Sequence, residues 1–304
     1  MMETMKAVRF SRYGGAEVLD YCTVERPAAG PGEILLKVLA AGVNPADYKF
    51  RAGALAGHRP KVLPVVPGMD VAGVVAACGP GVERLAVGDA VFGMLPPSRL
   101  GGYAEYVAAS SGFFAPIPDG LSSHAAAALA TAALTGVELV EDDLGIRSGQ
   151  RLLVIGALGA VGRAAVFAGR RRGAHVTAAV RRGRLDEVTF ADEVIDAGTP
   201  CAAQFDGIAD TVGGETALSF IGNLRAGGVL SSVSTVRIPG QPRSDVVVRS
   251  FVCYPDPQRL GDLARAVISG EQLLQEIQSL KLADVAEAHR RLESGGSIKF
   301  VLIP

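Results

Sequence analysis

The run Arg151-Leu152-Leu153-Val154-Ile155-Gly156-Ala157-Leu158-Gly159-Ala160-Val161-Gly162 constrains the fold more than any other stretch. A short apolar segment enters glycines at every third position, and Arg163-Ala164-Ala165-Val166-Phe167-Ala168 continues as a helix. A glycine motif in a strand–turn–helix context marks dinucleotide binding. Gly156 permits the tight turn off the strand, Gly159 lets backbone approach a pyrophosphate, and Gly162 lets the helix pack on the strand. The first-turn N–H groups then face the phosphates. The candidate cradle is therefore Gly156, Ala157, Leu158, Gly159, Ala160, Val161 and Gly162. It departs from the standard G-x-G-x-x-G at Ala157, which stands in place of the first glycine. A glycine-rich turn that merely packs a structural βα unit is the plain alternative.

The chain of 304 residues, 49% of them hydrophobic, allows one large domain or two ordinary ones. A formal net charge of −1 provides no field for nucleic acid or an anionic membrane, so neither partner is favoured. Cys22, Cys78, Cys201 and Cys253 are scattered and make no CxxC pair, which reads as reduced thiols rather than a disulfide framework. The N-terminus has no signal-peptide apolar region, and no long uninterrupted apolar run that could span a bilayer is expected. A soluble, cytoplasmic protein is expected.

Before the glycine turn the chain reads as β-rich. Lys6–Phe10, Glu33–Val38, Val71–Ala76, Asp89–Met94 and Tyr103–Ala108 have strand character, separated by glycine and proline. Many short strands of this kind predict a small barrel. Asn44 to Pro67 reads as long and irregular, which favours a functional loop. Texture changes near Pro116-Ile117-Pro118, and Ser122 or Ser123 is placed to cap an alanine-rich helix, Ala125–Val140. Strands and helices then alternate: Leu152–Gly156, a helix to Arg172, His175–Val180, Glu193–Ile195, Gly207–Thr211, a helix near Glu215–Leu224, and Gly228–Val233. That alternation predicts a doubly wound parallel sheet. Val246–Val252 is one more strand, suited to an edge, and the tail offers helices Pro257–Ser269 and Leu282–Glu293 and a closing strand, Ile298–Ile303. The expected architecture is α/β, a β-barrel domain formed by 1–122 and 256–304 and a cofactor domain at 123–255.

A Rossmann unit that prefers NAD carries an acid at the end of its second strand. Here His175–Val180 is followed by Arg181, Arg182, Gly183 and Arg184, with guanidinium groups where that carboxylate would stand. The planar fork of arginine suits a phosphate, so a 2′-phosphate fits and NADPH is favoured over NADH. A solvated basic turn is the alternative.

His58, His124, His175 and His289 are far apart and form no ligand pattern, so packing or surface roles are expected for them. Several segments occur in a familiar order: Asn44-Pro45-Ala46-Asp47-Tyr48-Lys49, Pro67-Gly68-Met69-Asp70-Val71-Ala72-Gly73, Gly88–Gly93 and Gly102–Tyr106. Ala126–Thr135, the glycine turn, Asp210-Thr211-Val212-Gly213-Gly214 and Lys299-Phe300-Val301-Leu302 continue it. With these segments the chain resembles a zinc-independent medium-chain dehydrogenase/reductase of the quinone oxidoreductase type. The resemblance covers essentially the whole chain. It implies a GroES-like barrel domain, a Rossmann domain and catalysis in the cleft between them.

The departures from zinc-dependent relatives bear on the chemistry. Those relatives have Gly-His-Glu where this chain has Gly68-Met69-Asp70, and a cysteine-rich lobe where only Gly93–Gly101 stands, without cysteine. Both zinc sites are expected to be absent. Reducing a simple ketone leaves an alkoxide that a Lewis acid or positioned donor must stabilise. Quinones and α,β-unsaturated carbonyls delocalise that charge themselves, and such acceptors are expected.

The resemblance makes Asn44 the asparagine beside nicotinamide and substrate, whose alternative is a turn residue before Pro45. Tyr48 is a candidate proton donor and Lys49 a candidate partner for an anionic enolate or a cofactor group, against aromatic packing and a solvated charge. Enoyl-thioester reductases of the family place a tyrosine after this loop's glycine, where Gly53-Ala54-Leu55 has none. Thr135 corresponds to the family threonine near the nicotinamide, with a helix-internal hydroxyl as the alternative. Val212 and Ser234 stand at strand ends on the expected cofactor side. Leu95–Leu100 and Arg237–Arg243 are candidates for the substrate mouth, with ordinary surface loops as the default. The function expected is NADPH-dependent reduction of a quinone or enone by a homodimer paired through the edge strand. An enoyl or enone reductase of a biosynthetic pathway, and a non-catalytic NADPH sensor, are the competing readings.

Overall fold

A computed structural model describes residues 3–57, 62–199, 201–240 and 243–304. Its core is organised around the strand Glu33–Gly42 in one unit and Arg151–Ile155 in another. The first unit comprises 1–131, 254–270 and 274–304; the second comprises 132–253 and 271–273.

In the first unit, β1 (Thr4–Arg9) and β2 (Asp20–Glu25) form an antiparallel ribbon. Then come β3 (Glu33–Gly42), α1 (Pro45–Arg51), β4 (Asp70–Cys78), β5 (Ala90–Met94), β6 (Tyr106–Ser110) and β7 (Phe114–Pro116). The length of β3 lets it pair with β4 along its course and with β6 at its start. Its side chains alternate onto a core of Ile34, Leu36 and Val38 with Val71, Val75, Val91 and Phe114. Isolated bridges at Ala7–Ala104 and Phe10–Val65 tie the ribbon to the rest.

α2 (Ser123–Glu138) runs through the boundary at 131/132. By length and composition the continuous helix Ser123–Asp143 is apolar enough to cross a membrane, which corrects the expectation that no such run exists. It is a core helix: 78% of its most apolar window is buried.

The second unit continues with β8 (Arg151–Ile155), α3 (Ala160–Arg171), β9 (His175–Val180), β10 (Glu193–Asp196), β11 (Phe205–Asp210), α4 (Gly214–Ser219), β12 (Leu224–Ser232) and β13 (Val247–Ser250). Its sheet is wholly parallel, in the order β10-β9-β8-β11-β12-β13. The order reverses between β8 and β11, the switch point at whose carboxyl ends such sheets bind ligands. β13 is an edge strand, within the expected Val246–Val252.

The chain then returns to the first unit through α5 (Pro257–Ile268), β14 (Glu276–Lys281), α6 (Val285–Glu293) and β15 (Ile298–Ile303). β15 pairs with the end of β3, Val301 opposite Gly42, and completes a seven-stranded mixed sheet. Four elements differ from the sequence reading. Part of the supposedly irregular Asn44–Pro67 stretch is the helix α1, while β2, β7 and β14 were not foreseen.

Candidate active site

Register places the first cluster. Asp70 opens β4 opposite Gly42 of β3, and Val301 of β15 pairs with the same Gly42. Asn44, two residues past Gly42, therefore comes to lie beside both Asp70 and Lys299. Its amide nitrogen Nδ2 donates to Asp70 Oδ2 at 2.8 Å, and its Oδ1 accepts from Lys299 Nζ at 2.6 Å. Lys299 Nζ is also 3.6 Å from Asp70 Oδ2. The other Asp70 oxygen accepts from the Thr131 backbone N–H at 2.9 Å and from the Thr131 hydroxyl. Asn44, Asp70 and Lys299 are all buried.

Asn44 is also the N-cap of α1, with Pro45 following where a missing N–H costs nothing. The Asp47 carboxylate reaches back, its Oδ2 accepting from the Asn44 backbone N–H at 2.8 Å and from the Tyr103 hydroxyl at 2.9 Å. Asp47 Oδ1 is buried without a partner among the described residues. Burial raises the Asp47 carboxyl to about 7, against its bond to the Asn44 N–H. Burial, then the Asp47 charge, raises the Tyr103 phenol well above its usual range. Burial lowers the Lys299 ammonium, while Asp70 and Asp47 oppose that shift.

Tyr48 and Lys49 lie on α1, both part-buried. Burial and then the Glu293 charge raise the Tyr48 phenol, and burial lowers the Lys49 amine. Neither joins the hydrogen-bonded cluster around Asn44. Arg51, at the end of α1, is buried, donates to Gly14 O at 3.1 Å, pairs with Glu293 and lies 3.4 Å from His289 Nδ1. His289 is thus a packed core histidine, held down to about 3 by burial and by the Arg51 charge. His58 and residues 241 and 242 of the Arg237–Arg243 stretch lie outside the described residues.

The second cluster sits at the carboxyl ends of β8, β11 and β12. Gly156 turns off β8 with φ of +82°, and a Cβ there would lie 2.2 Å from Thr211 Oγ1. A Cβ on Gly162 would meet Gly156 O at 2.2 Å, so only glycine lets α3 start this close to the turn. Gly159 is the N-cap of α3, ahead of Ala160, Val161 and Gly162 in the first turn, where N–H groups lack intrahelical partners. Ala157, at the motif's first position, and Leu158 are buried within the turn. Buried Asp210 organises the facing strand ends: one oxygen accepts from the Val212 and Gly213 N–H groups at 2.9 Å each, the other from Ser232. Ser234 Oγ donates to Val212 O at 2.8 Å. Thr135, buried on α2, donates to Cys253 Sγ at 2.9 Å.

The arginines after β9 are not equivalent. Arg182 donates to Asp196 Oδ2 at 2.9 Å and to Thr199 at 3.0 Å, and Arg184 is forked onto Glu187. Arg181 has no ion pair or side-chain hydrogen bond among the described residues, so its guanidinium alone is uncommitted.

Sequence reasoning missed Asp70 and Lys299 as partners of Asn44, Thr131 as the partner of Asp70 and Tyr103 as the partner of Asp47. One signal was present: Asp70 and Lys299 are single charges inside otherwise apolar segments, which implies buried partners without naming them. Among the described residues, no group of three or more His, Cys, Asp or Glu side chains is placed to hold a metal ion.

Residues 30–119 match the alcohol dehydrogenase GroES-like domain. A chloroplastic quinone-oxidoreductase homolog of Spinacia oleracea is 37% identical over 204 residues, 64% of this chain and 62% of that protein. The 2-methylene-furan-3-one reductase of Solanum lycopersicum is 34% identical over 253 residues, 78% of this chain and 64% of that protein. These matches span less than two thirds of either relative. The solved quinone oxidoreductase of Coxiella burnetii superposes with a TM-score of 0.89 at 25% identity, over 99% of this chain and 100% of that one. A GroES-like sheet joined in sequence to a Rossmann sheet defines an oxidoreductase class whose members use nicotinamide cofactors. This chain belongs to the medium-chain dehydrogenase/reductase family and is quinone oxidoreductase-like.

Proposed function

We propose that the chain is an NADPH-dependent, metal-independent oxidoreductase acting on a quinone or an α,β-unsaturated carbonyl. The observation that carries this reading is the buried Asn44 carboxamide, whose second N–H has no partner among the described residues, while Met69 stands where zinc-dependent relatives have a histidine. When bound, the nicotinamide supplies a hydride to the acceptor carbon. The Asn44 N–H then meets charge developing on the acceptor oxygen, a preorganised donor in a site of low polarity. Tyr48 and Lys49, on the same short helix, are the nearby candidates for supplying a proton and for holding an anionic product.

The glycine turn fits a dinucleotide. Gly156 and Gly162 exclude any Cβ, a Cβ on Gly159 would meet only Gly156 O at 3.3 Å, and the α3 N–H groups face a pyrophosphate. Thr135, Val212 and Ser234 line the remaining contacts in this reading, and Arg181 takes the 2′-phosphate with Arg182 beside it. The acceptor is a small molecule, with neither nucleic acid nor membrane as a partner, and the protein works in the cytoplasm as a homodimer.

The test is a spectrophotometric screen of NADPH oxidation against quinones, enals and enoyl thioesters. Turnover of a quinone or an enal supports the proposal. Preference for enoyl thioesters moves it to an enoyl reductase of a biosynthetic pathway. NADPH binding without oxidation by any acceptor makes the protein a sensor and ends the catalytic reading.

A further inference from the structure

The orientation of the Asn44 carboxamide is dictated from outside the residue. Its oxygen faces the Lys299 ammonium at 2.6 Å and its nitrogen faces the Asp70 carboxylate at 2.8 Å. Rotating the amide by half a turn would set its NH2 against the ammonium and its oxygen against the carboxylate, replacing two attractions by two repulsions. Asp70 is itself fixed by Thr131 on its other oxygen. An amide nitrogen carries two hydrogens, and one is committed to Asp70. The other has no partner among the described residues, and Asn44 keeps 4% of its surface exposed.

We infer that Lys299 and Asp70 are positioning residues that lock Asn44 with its free N–H presented to the acceptor oxygen. The inference deepens the proposed reaction and rests on it for its catalytic consequence; the lock itself does not. The cation on the amide oxygen draws density from nitrogen and strengthens the remaining N–H as a donor, as linked hydrogen bonds polarise one another. The anion holds the other hydrogen, so the amide plane cannot turn. Because β3, β4 and β15 converge at Gly42, the lock is built by strand register rather than by the loop that carries Asn44.

The chain contains only two asparagines, Asn44 and Asn223, which allows a direct test. Protein labelled with 15N-asparagine shows two side-chain amide pairs, and Asn44→Ala identifies the pair from Asn44. In Lys299→Met that pair is expected to shift and to exchange with solvent at least about tenfold faster, the equivalent of one lost charged hydrogen bond, while the Asn223 pair stays in place. Lys299→Arg restores it in part. If Lys299→Met does not fold, the doubly neutral Asp70→Leu, Lys299→Met variant, which adds no further asparagine, replaces it with the same expectation. In turnover, loss of the lock lowers kcat on the order of tenfold to a hundredfold, less than removing an oxyanion donor outright, with the KM for cofactor little changed. An Asn44 pair that does not move in these variants overturns the lock. An unchanged kcat in a protein that reduces quinones or enones overturns its catalytic role. A parent protein that turns over none of them fails the proposed reaction instead, and the amide spectrum still decides the lock.

Discussion

Tyr103 donates its hydroxyl to Asp47 Oδ2 at 2.9 Å, and the same ring meets His289 in a T-shaped contact, with centroids 5.9 Å apart. Two buried titratable groups therefore flank one buried tyrosine, and their shifts oppose each other. Asp47 is raised from 3.8 to about 7, so the folded state holds its proton where the unfolded state has lost it. That contribution to stability is present at low pH and declines as pH rises from about 4 to about 7. His289 is lowered from 6.5 to about 3, so its contribution declines as pH falls from about 6.5 to about 3. Across the shared range the two slopes cancel. Asp47→Asn is expected to unmask a rise in stability from about pH 4 to 6.5, and His289→Gln to unmask a fall, each a few kcal/mol at most. Denaturant midpoints at a series of pH values measure this; variants with pH profiles parallel to the parent's refute it.

Gly159 and Gly162 separate packing from binding. An alanine at 162 forces its Cβ to 2.2 Å from Gly156 O, and backbone cannot yield there cheaply. Gly162→Ala is expected to lose about 1–3 kcal/mol of stability, as overpacked sites do. At 159 the only near atom is at 3.3 Å, so Gly159→Ala should fold normally while its methyl occupies the space a pyrophosphate needs. Thermal melts and fluorescence titration with NADPH read the two effects. Full cofactor affinity in Gly159→Ala would count against the cradle.

How much of this was legible beforehand depends on how far apart the interacting residues are. The roles of Gly156 and Gly162 are local, set by a turn of a few residues, and the sequence shows them directly. Asn44 stood out because it sits in a recognisable motif. Its partners did not, because Asp70 and Lys299 are 26 and 255 residues away and meet Asn44 only through pairing of β3, β4 and β15. α1 went unread because seven residues opened by Pro45 carry too little periodicity to register as a helix. β14 was missed for a related reason: Glu276–Lys281 is mostly polar and pairs only with β15. The row of arginines was visible, but which one is free was not, since Asp196, Thr199 and Glu187 decide it.

The edge strand β13 bears on assembly. Val247 is 47% exposed on a strand paired on one side only. An uncovered edge with an apolar residue is a template for a second copy, and a two-fold pairing would extend the sheet. Light scattering is expected to give twice the mass of one chain, and Val247→Lys is expected to reduce it to one. A parent protein that runs as a monomer at all concentrations removes the homodimer from the proposal.

The sharpest test of cofactor preference compares Arg181 with Arg182. Both follow β9, but Arg182 is already held by Asp196 and Thr199, whereas Arg181 would lose only water on meeting a phosphate. A charge-assisted pair to a phosphate contributes about 1.5–3 kcal/mol, roughly tenfold to a hundredfold in affinity. Arg181→Ala should therefore weaken NADPH by that factor and leave NADH nearly untouched, since NADH has no group for the guanidinium to bind. Arg182→Ala should cost less, because the arginine must break existing bonds before it can serve a phosphate. Titrating both cofactors against both variants gives four dissociation constants. If Arg181→Ala weakens NADPH and NADH alike, the guanidinium shapes the turn rather than reading the phosphate, and the preference for NADPH loses its physical basis.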